Sequence, residues 1–173
     1  MNMESIQRNR NFYLIEGVIF AILGILAIAL PGLFTLTVEL FIGWLFVIGG
    51  IVLGYRTITA KGAPGFWFSL FSAIIYIIIG LLLVFNPLAG VLTLTALLII
   101  LFLIQGFAQI ALGLEMKAHS AWGWYVFSGI ISLLLAVIIW SGWPGTAVWA
   151  IGLLVGINLL FAGITQIAIA LSK

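Results

Sequence analysis

With 173 residues, 65% of them hydrophobic and only 6% charged, the chain cannot clothe itself as a soluble domain does, which takes roughly 25% charged residues. Its mean hydropathy of +1.41 makes lipid its solvent, and six scattered basic residues with a net charge of +2 form no nucleic-acid-binding patch. The absence of cysteine excludes disulfides, thiolate metal sites and cysteine nucleophiles.

In chain order, residues 1–11 form a polar tail carrying Glu4, Arg8 and Arg10. The first apolar run, residues 12–30, is long enough to span a bilayer, which takes about 20 residues. A cleaved signal peptide is its rival, because Arg8 and Arg10 precede it and Ala27-Ile28-Ala29 resembles a cleavage box. Cleavage would remove half of a repeat whose Pro31 stands in register with two other prolines, so the run is read as a span. The turn Pro31-Gly32-Leu33-Phe34 leads to a second run over residues 35–55, followed by a basic loop over 56–65. The third run covers residues 66–85 and the fourth 91–114, with the chain folded between them at Asn86-Pro87. After a polar loop over 115–120 comes the fifth run, residues 122–140, and a turn at 141–146 leads into the sixth, 147–171. Length decides their type: membrane strands need only about 9–11 residues and alternate in polarity. The fold class is therefore all-α, a polytopic integral membrane protein with six transmembrane helices in one domain over residues 12–173.

Pro31, Pro87 and Pro144 are spaced 56 and 57 residues apart. Gly17, Ala73 and Gly129 precede them at 14 or 15 residues, and Gly50, Gly106 and Gly163 follow at 19. A fixed period of this kind predicts three two-helix repeats, about 12–65, 66–121 and 122–171. Because each copy has two spans, all enter and leave on one side, so the repeats are parallel about an axis along the membrane normal. Orientation follows from charge. Arg8, Arg10, Arg56, Lys61, Lys117 and Lys173 occupy the tail, the second and fourth loops and the C-terminus, while the other loops have no Lys or Arg. The positive-inside rule then puts both termini in the cytoplasm. Tyr55, Trp67, Trp122 and Trp124 fall at the inner interface, and Trp140, Trp143 and Trp149 at the outer one. Gly50 with Gly54 and Gly152 with Gly156 form GxxxG pairs, and Gly17/Gly24 and Gly106/Gly113 are each one heptad apart; both spacings suit close helix packing.

Glu16 and Glu39 are the two acids inside apolar runs, and an intramembrane carboxylate points by default to a proton relay or ion site. Both also lie near enough to a span's end to reach a headgroup layer, and Glu16 has Arg56 available as a partner at the same face. The other repeats carry Ser72 and Ser128 opposite Glu16, and Thr95 and Gly152 opposite Glu39. Gln105 and Gln109 on the fourth span, and Asn158 and Gln166 on the sixth, follow helical spacing. They either glue helices together or line a polar path. His119 is the single histidine and sits in a loop, too isolated for a metal site. No nucleophile, phosphate loop or ligand spacing appears, so neither enzyme activity nor a cofactor is expected. The partner implied is the lipid bilayer; a homo-oligomer or a second membrane protein stays open.

Gly24 and Gly80, each seven residues before a proline, together with a glycine nineteen residues beyond it, resemble the HdeD-like membrane proteins. These carry a short repeated two-helix domain of unassigned biochemistry, DUF308, and the similarity covers residues 12–171. The third copy departs, with Ala136 and Val137 where the glycine would stand. The resemblance implies an inner-membrane bacterial protein with a role in acid stress and supplies no catalytic residues. The other class of function compatible with the sequence is a small transporter or channel.

Overall fold

The computed structural model describes residues 10–60, 64–117 and 121–171. Arg8, Lys61, His119 and Lys173 lie outside them. Six helices follow one another: α1 (Arg10–Ala29), α2 (Pro31–Thr59), α3 (Phe66–Phe85), α4 (Pro87–Glu115), α5 (Trp122–Ser141) and α6 (Ala147–Leu171). All six are long and apolar enough to cross a membrane.

The corners at the prolines are tighter than the sequence suggests. Pro31 and Pro87 do not belong to turns; each is the first residue of its helix, leaving only Leu30 and Asn86 between neighbours. Proline suits that position because its fixed φ is helical and the N–H it lacks would have no partner in the first turn. At the second corner Asn86 (φ −129°, ψ 65°) closes α3 by donating its N–H to the Leu82 carbonyl, then opens α4 by accepting from the Gly90 N–H. The third corner, with its extra residue, is a true turn between Ser141 and Ala147. There the Thr146 hydroxyl donates to the Ile139 carbonyl at 2.6 Å and the Thr146 N–H donates to the Gly142 carbonyl.

Two compact units divide the chain, Met1–Val38 with Trp149–Lys173, and Glu39–Val148. In the first, α1 and α6 run antiparallel on glycines. A Cβ on Gly17 would lie 2.9 Å from the Gly163 carbonyl oxygen, and one on Gly24 would lie 2.8 Å from that of Gly156. In the second unit α2 and α3 meet in the same way, Gly50 against the Ala73 carbonyl and Gly80 against the Gly43 carbonyl and Val47. The third instance is α4 against α5: Gly106 and Gly129 each face the other's carbonyl, and Gly113 faces that of Trp122. In each pair an even-numbered helix packs on an odd-numbered one. Helices α3 and α4, joined at one tight corner, make far fewer contacts than α4 and α5.

The small residues at these contacts recur every seven positions, the spacing that keeps one face of a helix against an antiparallel neighbour. The GxxxG spacing contributes less. A Cβ on Gly54 would make only an ordinary contact, 3.7 Å from that of Ala73, and Gly49 has nothing within 4 Å. Between α4 and α5, Ala136 and Ile99 are buried beside a groove of about 330 Å³. The buried apolar residues are mainly small, with Ala27, Ala73, Ala136, Ala147 and Ala150 almost without exposure, while Phe41, Trp44, Phe107 and Phe161 face outward. In lipid, helices gain little from hiding large apolar side chains from one another and associate through close backbone approach.

Candidate functional site

Two groups stand out among the polar side chains within the spans. Thr37, Thr57, Thr93 and Thr165, like Ser72 and Ser132, donate to the carbonyl four residues earlier on their own helix. They are satisfied locally and ask nothing of a neighbour. The second group is not. Both carboxylate oxygens of Glu39, the Thr95 hydroxyl and the amide oxygens of Gln109 and Gln166 are buried without a hydrogen-bond partner. Each belongs to one of two registers: Glu39 and Thr95 lie eight residues beyond Pro31 and Pro87, and Gln109 and Gln166 lie 22 beyond Pro87 and Pro144.

Glu39 is the outlier. Eight residues of helix put it only about 12 Å from the corner, near enough for a carboxylate to stretch toward headgroups. Instead its side chain turns inward and is 0% exposed. The reason stands on α4: a Cβ on Gly90 would land on the Glu39 carboxylate, so the missing side chain is the space the carboxylate fills. In that turn Pro87 has no N–H and that of Gly90 goes to Asn86, and neither Glu39 oxygen has a hydrogen-bond partner. Leaving a charged carboxylate without such partners is among the most expensive things a membrane span can do.

Thr35 and Thr95 are equally buried, both at 0% exposure. The Thr35 hydroxyl oxygen accepts the Gly152 N–H at 2.9 Å, a bond from the start of α2 to α6 within the first unit. Gly152 itself packs on the Pro31 carbonyl, which leaves no room for a side chain. The sequence reading singled out neither Thr35 nor Gly90. Their only signals were a threonine one turn before Glu39 and a glycine three residues after a proline, neither of which names a partner.

The remaining candidates are dispersed. Glu16 is half-buried on α1. Gln109 and Gln166 are half-buried, whereas Gln105 and Asn158, their partners in the expected stripes, are exposed. Among the described residues no three His, Asp or Glu side chains come together as a metal site. What the unpaired groups offer is hydrogen bonding and, at Glu39, the exchange of a proton.

The sequence profile of a family described as a short repeat of unknown function (DUF308) matches residues 15–85 and again residues 73–141. Together the two matches run through most of the 173-residue chain and stop at the end of α5, before the divergent third corner. No curated protein and no solved structure matches the chain. The profile agrees with the resemblance to HdeD-like proteins carried by the glycines before Pro31 and Pro87. The chain is a six-helix membrane protein that belongs to the DUF308 family.

Proposed function

We propose that this is a non-enzymatic protein of the bacterial inner membrane that protects the cell in acid, and that Glu39 is the group through which it responds. The observation that carries this is the burial of Glu39 against Gly90 with neither carboxylate oxygen bonded. Such packing suits the neutral acid, whereas an ionised carboxylate is driven toward water. Acid therefore favours the packed arrangement of α2 on α4 and loss of the proton loosens it, and protection comes from this cycle of proton uptake and release, not from the packed state alone. Among the described residues no other titratable group is placed to answer for Glu39. On its own helix the nearest are Tyr55 and Arg56, about 24 Å or more along the axis. Helix α4, which carries Gly90, has only Glu115 at its far end; α3 has Tyr76 and α5 has Tyr125. Helix α1 bears Arg10, Tyr13 and Glu16, and α6 has none.

The test is infrared spectroscopy on protein in liposomes. On acidification the difference spectrum is expected to gain a carboxyl C=O band that Glu16→Gln retains and Glu39→Gln lacks. The same band at full strength in Glu39→Gln sinks the proposal.

In this reading the chain is three parallel two-helix repeats with both termini in the cytoplasm. The recurring seven-residue glycine contacts support the repeats, and the confinement of Lys and Arg to the tail, the even loops and the C-terminus supports the orientation. Because the chain has no cysteine, single-cysteine variants report topology directly. An impermeant maleimide added to intact cells is expected to label Thr93→Cys and to miss Ala60→Cys; the reverse pattern inverts the protein.

The buried, unbonded amide oxygens of Gln109 and Gln166 favour a second reading, a transporter or channel with a polar path between repeats. Under that reading the amides carry the function and Glu39→Gln leaves acid protection intact.

A further inference from the structure

The Asn86 corner holds more than a turn. Between α3 and α4 lies an open cleft of about 320 Å³ lined by Ile79, Leu82, Leu83, Asn86, Ala89, Gly90 and Thr93. At about 30 Å³ per molecule it has room for roughly ten waters. Its polar side chains are Asn86 and Thr93, both exposed, and the Thr93 hydroxyl already donates to the Ala89 carbonyl at 2.8 Å. Gly90 lines the cleft and is also the residue on which the Glu39 carboxylate rests. The cleft and the buried acid thus share one wall, and that wall has no side chain.

We infer that this cleft is the proton port of Glu39, a site for water and hydronium that connects the face bearing the Asn86 corner to the carboxylate past Gly90. This rests on the reading of Glu39 as the titrating group and adds its route. A hydronium in the cleft gives its proton to one carboxylate oxygen and leaves as water; the return step releases the proton to a cleft water. Glycine is required at the wall because any side chain there meets the carboxylate. The other polar residues of the cleft lie at its mouth, where they hold water without being titratable themselves. Since Glu39 is otherwise enclosed, the cleft also fixes which side of the membrane it samples.

The rate of Glu39 protonation after a pH jump tests this, followed by its carboxyl band in liposomes. Thr93→Cys and Ala89→Cys each put a thiol at the mouth of the cleft, and Val137→Cys puts one in the groove between α4 and α5 as a control. Capping with a bulky maleimide is expected to abolish the fast protonation at either mouth position and to leave it unchanged at Val137. Unchanged rates after complete capping at both mouth positions, or equal loss at Val137, overturn the port while leaving Glu39 a titrating group. No Glu39 band in the uncapped protein overturns both. Two mouth variants are used so that a folding defect in one does not decide the outcome.

Discussion

Gly24→Leu is expected to separate α1 from α6 and to give the largest stability loss of any single change in the first unit. A Cβ at this position would lie 2.5 Å from the Leu160 nitrogen and 2.8 Å from the Gly156 oxygen. Both are backbone atoms of a helix, so neither can rotate away as a side-chain tip does. The helices must move apart, and because the neighbouring contact at Gly17 depends on the same separation, it is lost as well. Overpacking of this kind costs roughly 3 kcal/mol, enough to consume much of a membrane helix pair's stability. Gly49→Leu is the internal standard, since nothing lies within 4 Å of its Cβ position. There the substitution adds a lipid-facing side chain and is expected to change stability by less than about 0.5 kcal/mol. Thermal unfolding of both variants in bicelles makes the comparison. Equal melting of the two contradicts the packing described for α1 and α6.

That prediction also marks where sequence reasoning reaches its limit. The spans were legible because hydrocarbon thickness imposes length: residues 66–85 and 147–171 are helices with the boundaries the apolar runs imply. The first span was legible for the same reason. What the runs do not carry is which helix meets which. A glycine every seven residues says that a face is close-packed, but Gly50 meets Ala73 across the basic loop while α3 and α4, across the Asn86 corner, scarcely touch. The GxxxG pairs drew attention to Gly54, whose Cβ position has only an ordinary neighbour, when the working partner of Gly50 is Gly43 one heptad back.

The candidate site shows the same division. Counting residues from Pro31 gives the depth of Glu39 along α2, and depth alone allowed its carboxylate to reach the surface. Its burial depends on the direction of the side chain around the helix and on a vacancy at Gly90 in another helix, neither of which has a local signature. Thr35 went unnoticed for a similar reason, since an acceptor for a distant main-chain N–H looks like any other threonine. Gln105 and Asn158 differ from their expected partners in burial. Helical spacing put them in line with Gln109 and Gln166, one and two turns away, yet they are exposed where those two are half-buried.

The second large effect is expected at Glu39. Glutamine keeps the size and hydrogen-bonding capacity of the neutral acid, so Glu39→Gln fits against Gly90 and holds the packed arrangement at every pH. What it removes is the exchange of a proton and, with it, the response to acid. Glu16→Gln alters a half-buried group on α1 and leaves that response in place. The most direct trial is survival of acid shock by a bacterial strain lacking this protein, complemented with wild type, Glu16→Gln or Glu39→Gln at matched membrane levels. Wild type and Glu16→Gln are expected to restore survival, and Glu39→Gln to leave it at the level of the empty vector. Full rescue by Glu39→Gln, or no rescue by wild type, would contradict the account.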